Sequence, residues 1–219
     1  MIDWSRIDTV LLDMDGTLID LRFDNHLWNV VVPDRYGERE GVARERAVEI
    51  LYRDMLASKA TLDFYDLDYW ARETALDIDA IHEELMPLIR YREDAPAFVS
   101  AVRESGRPVV LATNAHPKSL AVKHKAIGLL DTVDSFVCAH DIGVPKEDVA
   151  YWQRLASGLG DARYDPARAL LVDDNILALE AADHAGVGHL MCVAQPDSRG
   201  QRRTDLPYPS FTRFAEIMP

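Results

Sequence analysis

At 219 residues the chain is long for one small domain and short for two independent ones, which favours a single domain carrying an insertion. Hydrophobic residues make up 48% and charged residues 28%, with Gly 11 and Pro 11, a balance that excludes disordered, collagen-like and low-complexity classes. Asp+Glu 37 against Lys+Arg 24 leave a formal charge of -13, which disfavours nucleic acid and anionic membrane surfaces as partners, although a bound cation or a local cluster of donors still allows small anions.

The opening segment MIDWSRIDTVLLDMD has no basic stretch followed by an apolar one, and no run of 18 apolar residues occurs, so a soluble, cytoplasmic protein is expected. Ile7 to Leu12 reads as the first buried strand, and LLDMDGTL follows it. Alternate residues of an extended chain face the same way, so Asp13 and Asp15 can both reach one site at the strand's carboxyl end, where open parallel sheets bind ligands. Gly16 permits a tight turn, and Thr17 adds a hydroxyl. Asp-Gly is also common in solvated turns, so this pair alone leaves structural and functional readings open.

From about Asp20 to Arg92 roughly seventy residues pass without a convincing strand, far beyond an ordinary loop. Apolar residues at helical spacing over Gly41 to Lys59, Leu67 to Leu76 and Asp79 to Ile89 predict an inserted helical unit. It contains two aromatic and polar clusters, Phe23 to Trp28 and Phe64 to Trp70. Asp24, Asn25 and Trp28 are candidates for reading a ring-bearing substrate, against the plainer reading of such aromatics as the unit's own core. Arg90 and Arg92 stand where the chain returns.

Four further strands, Pro108 to Ala112, Ser135 to Ala139, Ala169 to Val172 and His189 to Val193, each follow a helical stretch. The helices are Ala95 to Glu104, Lys118 to Ile127, Glu147 to Ser157 and Ile176 to His184, each closed by a nearby glycine. This alternation predicts a parallel sheet covered on both faces. LATN places Thr113 and Asn114 at the second strand's carboxyl end, and LLVDDN places Asp173 and Asp174 at the fourth's. Acidic pairs at two strand ends require a cation, and hard oxygen ligands suit Mg²⁺. Lys146, in PKED, is the candidate fixed positive charge, with Lys118 and Lys125 as fallbacks in a helical pattern. His116 reads as structural. Cys138 and His140 also read as structural, because no second ligand pair joins them, and two cysteines are too few for a disulfide scaffold. The polar, Pro-rich segment after Val193 reads as a surface tail ending in a short helix near Phe214.

DMDGT, LATN, PKED and VDDN, in this order and spacing, resemble the four signature motifs of the haloacid dehalogenase-like hydrolases. The resemblance implies a doubly wound α/β sheet with the first strand central, formed by residues 1–19 and 93–219, and a helical cap formed by 20–92. It further implies Asp13 as the nucleophile that becomes an aspartyl phosphate and Asp15 as general acid and base. Thr113 and Asn114 would hold phosphoryl oxygens, and Lys146 would stabilise their charge. Mg²⁺ would be bound by Asp13, Asp174 and the Asp15 carbonyl, with Asp173 orienting a metal-bound water. Relatives that cleave carbon–halogen bonds lack the second carboxylate, so Asp15 argues against dehalogenation. In many relatives Lys is followed by Pro, whereas here Pro145 precedes Lys146.

The longer phrases LLDMDGTLIDLRFDN, LDYW, TNAHP, PKED, QPDS and YPSF are similar as a set to the bacterial GMP/IMP nucleotidases of this superfamily. That similarity implies a small-molecule phosphomonoester substrate, a purine nucleoside 5′-monophosphate. The same motifs accommodate a phosphomutase, a phosphotransferase or a sugar-phosphate phosphatase. They also accommodate a regulatory protein that signals through phosphorylated Asp13, although Asp15 would discharge such a signal. The sequence leaves the oligomeric state open.

Overall fold

The computed structural model describes residues 2–158 and 164–219. Six parallel strands form its sheet: β1 (Thr9–Leu12), β2 (Val109–Thr113), β3 (Ser135–Cys138), β4 (Ala169–Asp173), β5 (His189–Val193) and β6 (Ser210–Phe211). They lie in the order β3-β2-β1-β4-β5-β6. β1 is central, pairing Val10 with Val109 on one side and with Leu170 on the other. Its four residues are all buried, as expected of a strand covered on both faces.

The period of two sorts the strand residues between two cores. Val10, Leu12, Val109, Leu111, Leu170 and Val172 face the larger one, whereas Leu11, Val110, Ala112 and Leu171 face the smaller. The helices α1 (Arg22–His26), α2 (Val32–Glu40), α3 (Arg44–Ser58), α4 (Leu62–Tyr65), α5 (Leu67–Thr74) and α6 (Ile78–Leu85) lie between β1 and β2. They are followed by α7 (Ala95–Glu104), α8 (Pro117–Ile127), α9 (Leu129–Thr132), α10 (Ala139–Ile142), α11 (Val149–Gly158) and α12 (Ile176–His184). Phe98, Val102 and Leu120 of α7 and α8 join the larger core, and Tyr151, Trp152, Leu155 and Leu179 of α11 and α12 join the smaller. Buried aliphatic and aromatic side chains thus hold helices on both sheet faces, each large side chain contributing about 1.5–3 kcal/mol.

Three elements depart from the sequence reading. A π-helical turn, Leu27–Val31, joins α1 to α2 into a continuous helical path. Pro33 and many exposed polar positions hide its periodicity, because proline supplies no amide to the i→i−4 ladder. Tyr65 ends the short α4 between the expected helices. β6 adds a two-residue parallel strand, Cys192 beside Ser210 and Val193 beside Phe211, to a segment read as surface tail. The expected closure of α11 at Gly158 borders residues outside those described.

The chain enters and leaves the α1–α6 region at one place. Ile19 and Tyr91 form an antiparallel bridge, Asp20 N donates to Arg90 O at 3.0 Å, and Arg92 N donates to Leu18 O at 2.9 Å. Arg92 is a buried clamp at this point, its guanidinium donating to Gln195 O and Thr212 O, each at 2.5 Å.

Candidate active site

The carboxyl ends of β1, β2 and β4 open into a cavity of about 490 Å³. In a doubly wound sheet this is the crevice where successive crossovers depart in opposite directions from the central strand. Asp13, Asp15, Thr113, Lys146, Asp173 and Asp174 all line it.

Asp13 is the first residue beyond β1, held by its own N–H on Val172 O at 3.0 Å. Lys146 Nζ donates to Asp13 Oδ1 at 2.5 Å, to Asp173 Oδ2 at 2.7 Å and to Ala112 O at 3.1 Å. Lys146 is 2% exposed, so its three donors are fixed by protein rather than water. Burial alone would lower its pKa, but Asp13 and Asp173 raise it well above the ordinary lysine value and keep it charged. Lys118 and Lys125 lie elsewhere, paired with Asp68, Asp79 and Glu83 on the surface.

Asp13, Asp173 and Asp174 each offer a carboxylate oxygen within 4.8 Å of the others. One ammonium does not neutralise three such groups. Burial raises the pKa of Asp13 and Asp173, partly opposed by Lys146, and burial with the Asp173 charge raises Asp174 to about 7. Asp13 Oδ2 is buried without a hydrogen-bond partner. An all-oxygen donor set with surplus negative charge and an orphaned lone pair fits a hard divalent cation. The turn that builds the site requires Gly16: its φ is +86°, and a Cβ there would lie 2.7 Å from Asp174 Cγ.

Asn114 is committed to the loop that carries Lys146. Its Oδ1 accepts from Lys146 N at 2.8 Å, and its Nδ2 donates to Glu147 Oε2 at 2.9 Å. Glu147 Oε1 accepts from Asn175 Nδ2 at 2.7 Å and from the Tyr65 hydroxyl. Asn114, expected to help hold phosphoryl oxygens, lines the cavity; its side chain orients the Lys146 loop, and a second amide hydrogen and the backbone N–H are left for an anion. Thr113 Oγ1 accepts from Ala115 N at 3.0 Å, so its hydroxyl hydrogen is available to an anion in the cavity.

Asp15 faces a second lysine. Lys123, on α8, is fully buried, with Nζ 2.7 Å from Asp15 Oδ1 and donating to Asp24 Oδ1 and Oδ2 at 3.0 and 3.2 Å. Burial and the Asp24 charge raise Asp15 to about 6, against the lowering effect of Lys123. Asp24, expected to read substrate, is the counter-ion of this ammonium, and the Asp15 carboxylate stands outside the three-carboxylate group. Asn25 is corrected outright. One residue on a helix turns the side chain about 100°, so Asn25 leaves the cavity face of Asp24 and Trp28. Its Nδ2 donates instead to Asp197 Oδ2 at 2.8 Å. Trp28 lines the cavity, packed edge-on against Trp70 at 5.9 Å between ring centroids.

Lys123 and Arg203 line the cavity without having been singled out in the sequence, and Glu147 and Tyr65 line it although only the PKED motif and the aromatic cluster that contain them are named there. Lys123 reads there as one cation among several in PKSLAVKHK, and its burial depends on α8 packing against α6. Arg203, within the supposed surface tail, donates to Asp174 O at 2.8 Å and to Val193 O.

Residues 7–186 match the family model described as haloacid dehalogenase-like hydrolase. The chain is 38% identical over 218 residues to the GMP/IMP nucleotidase YrfG of Escherichia coli K12, covering 100% of this chain and 97% of that one. The crystal structure of a HAD phosphatase from Thermococcus onnurineus superposes with a TM-score of 0.77 at 21% identity, covering 96% of each chain. An L-2-haloacid dehalogenase from Xanthobacter autotrophicus superposes at 0.57 and 19% identity, over 86% of this chain and 78% of that one. The two solved structures carry the fold alone, which serves both chemistries; the side chains in the cavity must discriminate between them. Among the described residues no helix is long and apolar enough to cross a membrane.

Proposed function

The chain belongs to the haloacid dehalogenase-like hydrolase family, and from that premise we propose a Mg²⁺-dependent 5′-nucleotidase that hydrolyses purine nucleoside monophosphates through phosphorylated Asp13. One observation carries the reading: Asp13, fixed by Lys146, and Asp15, two residues on, share one cavity floor with the acidic end of β4. The extent and identity of the match to YrfG support the substrate class.

Asp13, Asp174 and the Asp15 backbone carbonyl would hold Mg²⁺, which when bound supplies charge neutralisation and polarises the phosphoryl group. Asp173 is spent on Lys146 and on the Asn175 N–H at 2.8 Å, so of the acidic pair it positions the lysine, and Asp174 is the freer ligand. Asp13 attacks phosphorus while Asp15 gives its proton to the leaving ribose oxygen. Ionised Asp15 then takes a proton from water, whose oxygen attacks phosphorus and frees Asp13. A carboxyl raised to about 6 suits both proton transfers near neutrality. The Thr113 hydroxyl meets a phosphoryl oxygen, and Lys146, with its donors held on Asp13, Asp173 and Ala112 O, acts through its fixed positive charge beside Asp13, an electrostatic contribution that dominates this chemistry.

Helices α1–α6 act as the cap, residues 20–92. They bring Trp28, Phe64, Tyr65 and Leu67 over the acidic floor, an apolar roof for a base above a polar floor for phosphate. The test is phosphate release over a panel of nucleoside and sugar monophosphates with Mg²⁺. Purine 5′-monophosphates should lead the panel, EDTA should abolish release until Mg²⁺ is returned, and Asp13→Asn should leave under about 1% of activity. Full turnover by folded Asp13→Asn, with deamidation excluded, would overturn the mechanism, and a sugar phosphate leading the panel would overturn the substrate class.

A further inference from the structure

Beside the catalytic cavity, Asp66, His116 and His140 each present a ligand atom within 4.8 Å of the other two. These residues are far apart in sequence. Asp66 caps α5, its Oδ1 accepting from Asp68 N at 2.7 Å and Tyr69 N at 3.0 Å. His116 caps α8, its Nδ1 accepting from Lys118 N at 3.3 Å. His140 lies in α10, immediately beyond β3. The cap role of His116 leaves Nε2 for the cluster, 3.7 Å from Asp66 Oδ1, and the two imidazoles stand edge-to-face with centroids 5.0 Å apart.

Both ring nitrogens of His140 are buried and have no hydrogen-bond partner. An imidazole in water always bonds at both nitrogens, so this burial costs free energy with nothing on the protein side to offset it. Burial, and then the neighbouring His116, hold its pKa below the ordinary histidine value, which keeps a ring lone pair free. The ordinary use of a neutral imidazole beside another imidazole and a carboxylate is metal ligation.

We infer that Asp66, His116 and His140 form a second cation site, for Zn²⁺ or a similar borderline-soft divalent ion, that ties α5 to the carboxyl edge of the sheet. Two nitrogens and one oxygen select against Mg²⁺, which prefers oxygen alone, so the two sites sort cations by ligand type. Zinc bonds of about 2.0–2.2 Å place tetrahedral ligands roughly 3.3 Å apart, close to the 3.7 Å already present. His116 and His140 belong to the sheet side and Asp66 to the helices between β1 and β2, so the ion bridges the two. The inference is independent of the proposed substrate.

The experiment titrates Zn²⁺, and Co²⁺ as its coloured counterpart, into metal-stripped full-length protein held in saturating Mg²⁺, for wild type, His140→Ala and His140→Gln. Wild type should bind one Zn²⁺ at micromolar or lower free metal, show Co²⁺ absorption of a nitrogen-ligated, four-coordinate ion, and melt several degrees higher with Zn²⁺. Both variants, folded by circular dichroism, should bind at least about 100-fold more weakly and lose the Zn²⁺-dependent rise in Tm. Binding of the same strength in wild type and both variants would overturn the inference, as would a wild-type Co²⁺ spectrum of octahedral, all-oxygen type. Loss of nucleotide hydrolysis in this protein with the Zn²⁺ response intact would count against the nucleotidase reading alone.

Discussion

Lys123→Met should destabilise the protein by about 3–5 kcal/mol, and adding Asp24→Asn should return about half of that or more. The magnitude follows from the arrangement around the ammonium. Lys123 Nζ lies 2.7 Å from Asp15 and 3.0 Å from Asp24, with no exposed surface of its own. At an effective dielectric of about 20, each contact near 3 Å contributes roughly 5 kcal/mol of attraction, most of which offsets the cost of taking the ammonium out of water. Methionine nearly matches the stem but leaves two carboxylates sharing a buried site, and one must then protonate or repel the other. Neutralising Asp24 in the double variant removes that conflict, so the two substitutions should be strongly non-additive. Urea unfolding of wild type, both single variants and the double variant closes the cycle. A cost below about 1 kcal/mol for Lys123→Met, or a double variant no more stable than Lys123→Met, would refute the claim that this lysine exists to carry the Asp15–Asp24 pair.

Burial raises Asp15 to about 6 and Asp174 to about 7 from the ordinary 3.8, so the folded state holds protons that the unfolded chain releases. Stability of the metal-free protein must therefore fall as pH rises through roughly 4 to 7. His82, lowered to about 4 by burial, acts in the opposite sense below about 6.5 and offsets one of the two carboxyls. The melting temperature in EDTA should be higher near pH 6 than near pH 7.5, with Mg²⁺ removing the difference by binding the ionised carboxylates; a metal-free Tm that rises over this interval would contradict the assignment. Trp28→Ala should lower kcat/KM for GMP about tenfold to a hundredfold more than for a small aryl phosphate, whereas Asn25→Ala should lower both equally or neither. A selective loss in Asn25→Ala would show that its bond to Asp197 is not its role.

The parallel sheet was legible because each strand writes its own signal. A short apolar run, a polar residue at its carboxyl end and a helix closed by glycine are all local. For the same reason Asp13, Thr113 and Asp173 were found at strand ends: in a parallel sheet every such end opens on one edge, so topology alone gathers them in one crevice. β6 left no such signal, since two residues are too few to show periodicity and Ser210–Phe211 owes its place to pairing with β5.

What the sequence by itself determined was therefore which strand ends carry the chemistry and the carboxylate pairs placed there. Only the tertiary structure decided which long side chains reach that crevice, and where helix phase turns the rest. Lys146 is the sequence's first candidate in PKED, with Lys118 and Lys125 as fallbacks; the structure shows how Asn114 and the carboxylates of Asp13 and Asp173 hold its loop and its charge. Lys123 became a buried cation because α6 packs over α8, and Asn25 left the cavity through a rotation of one residue. His140 appears solitary beside Cys138, yet β3 and the helices after β1 bring it His116 and Asp66 from 24 and 74 positions away. Side-chain reach and helix phase are properties of packed elements, and no local pattern encodes them.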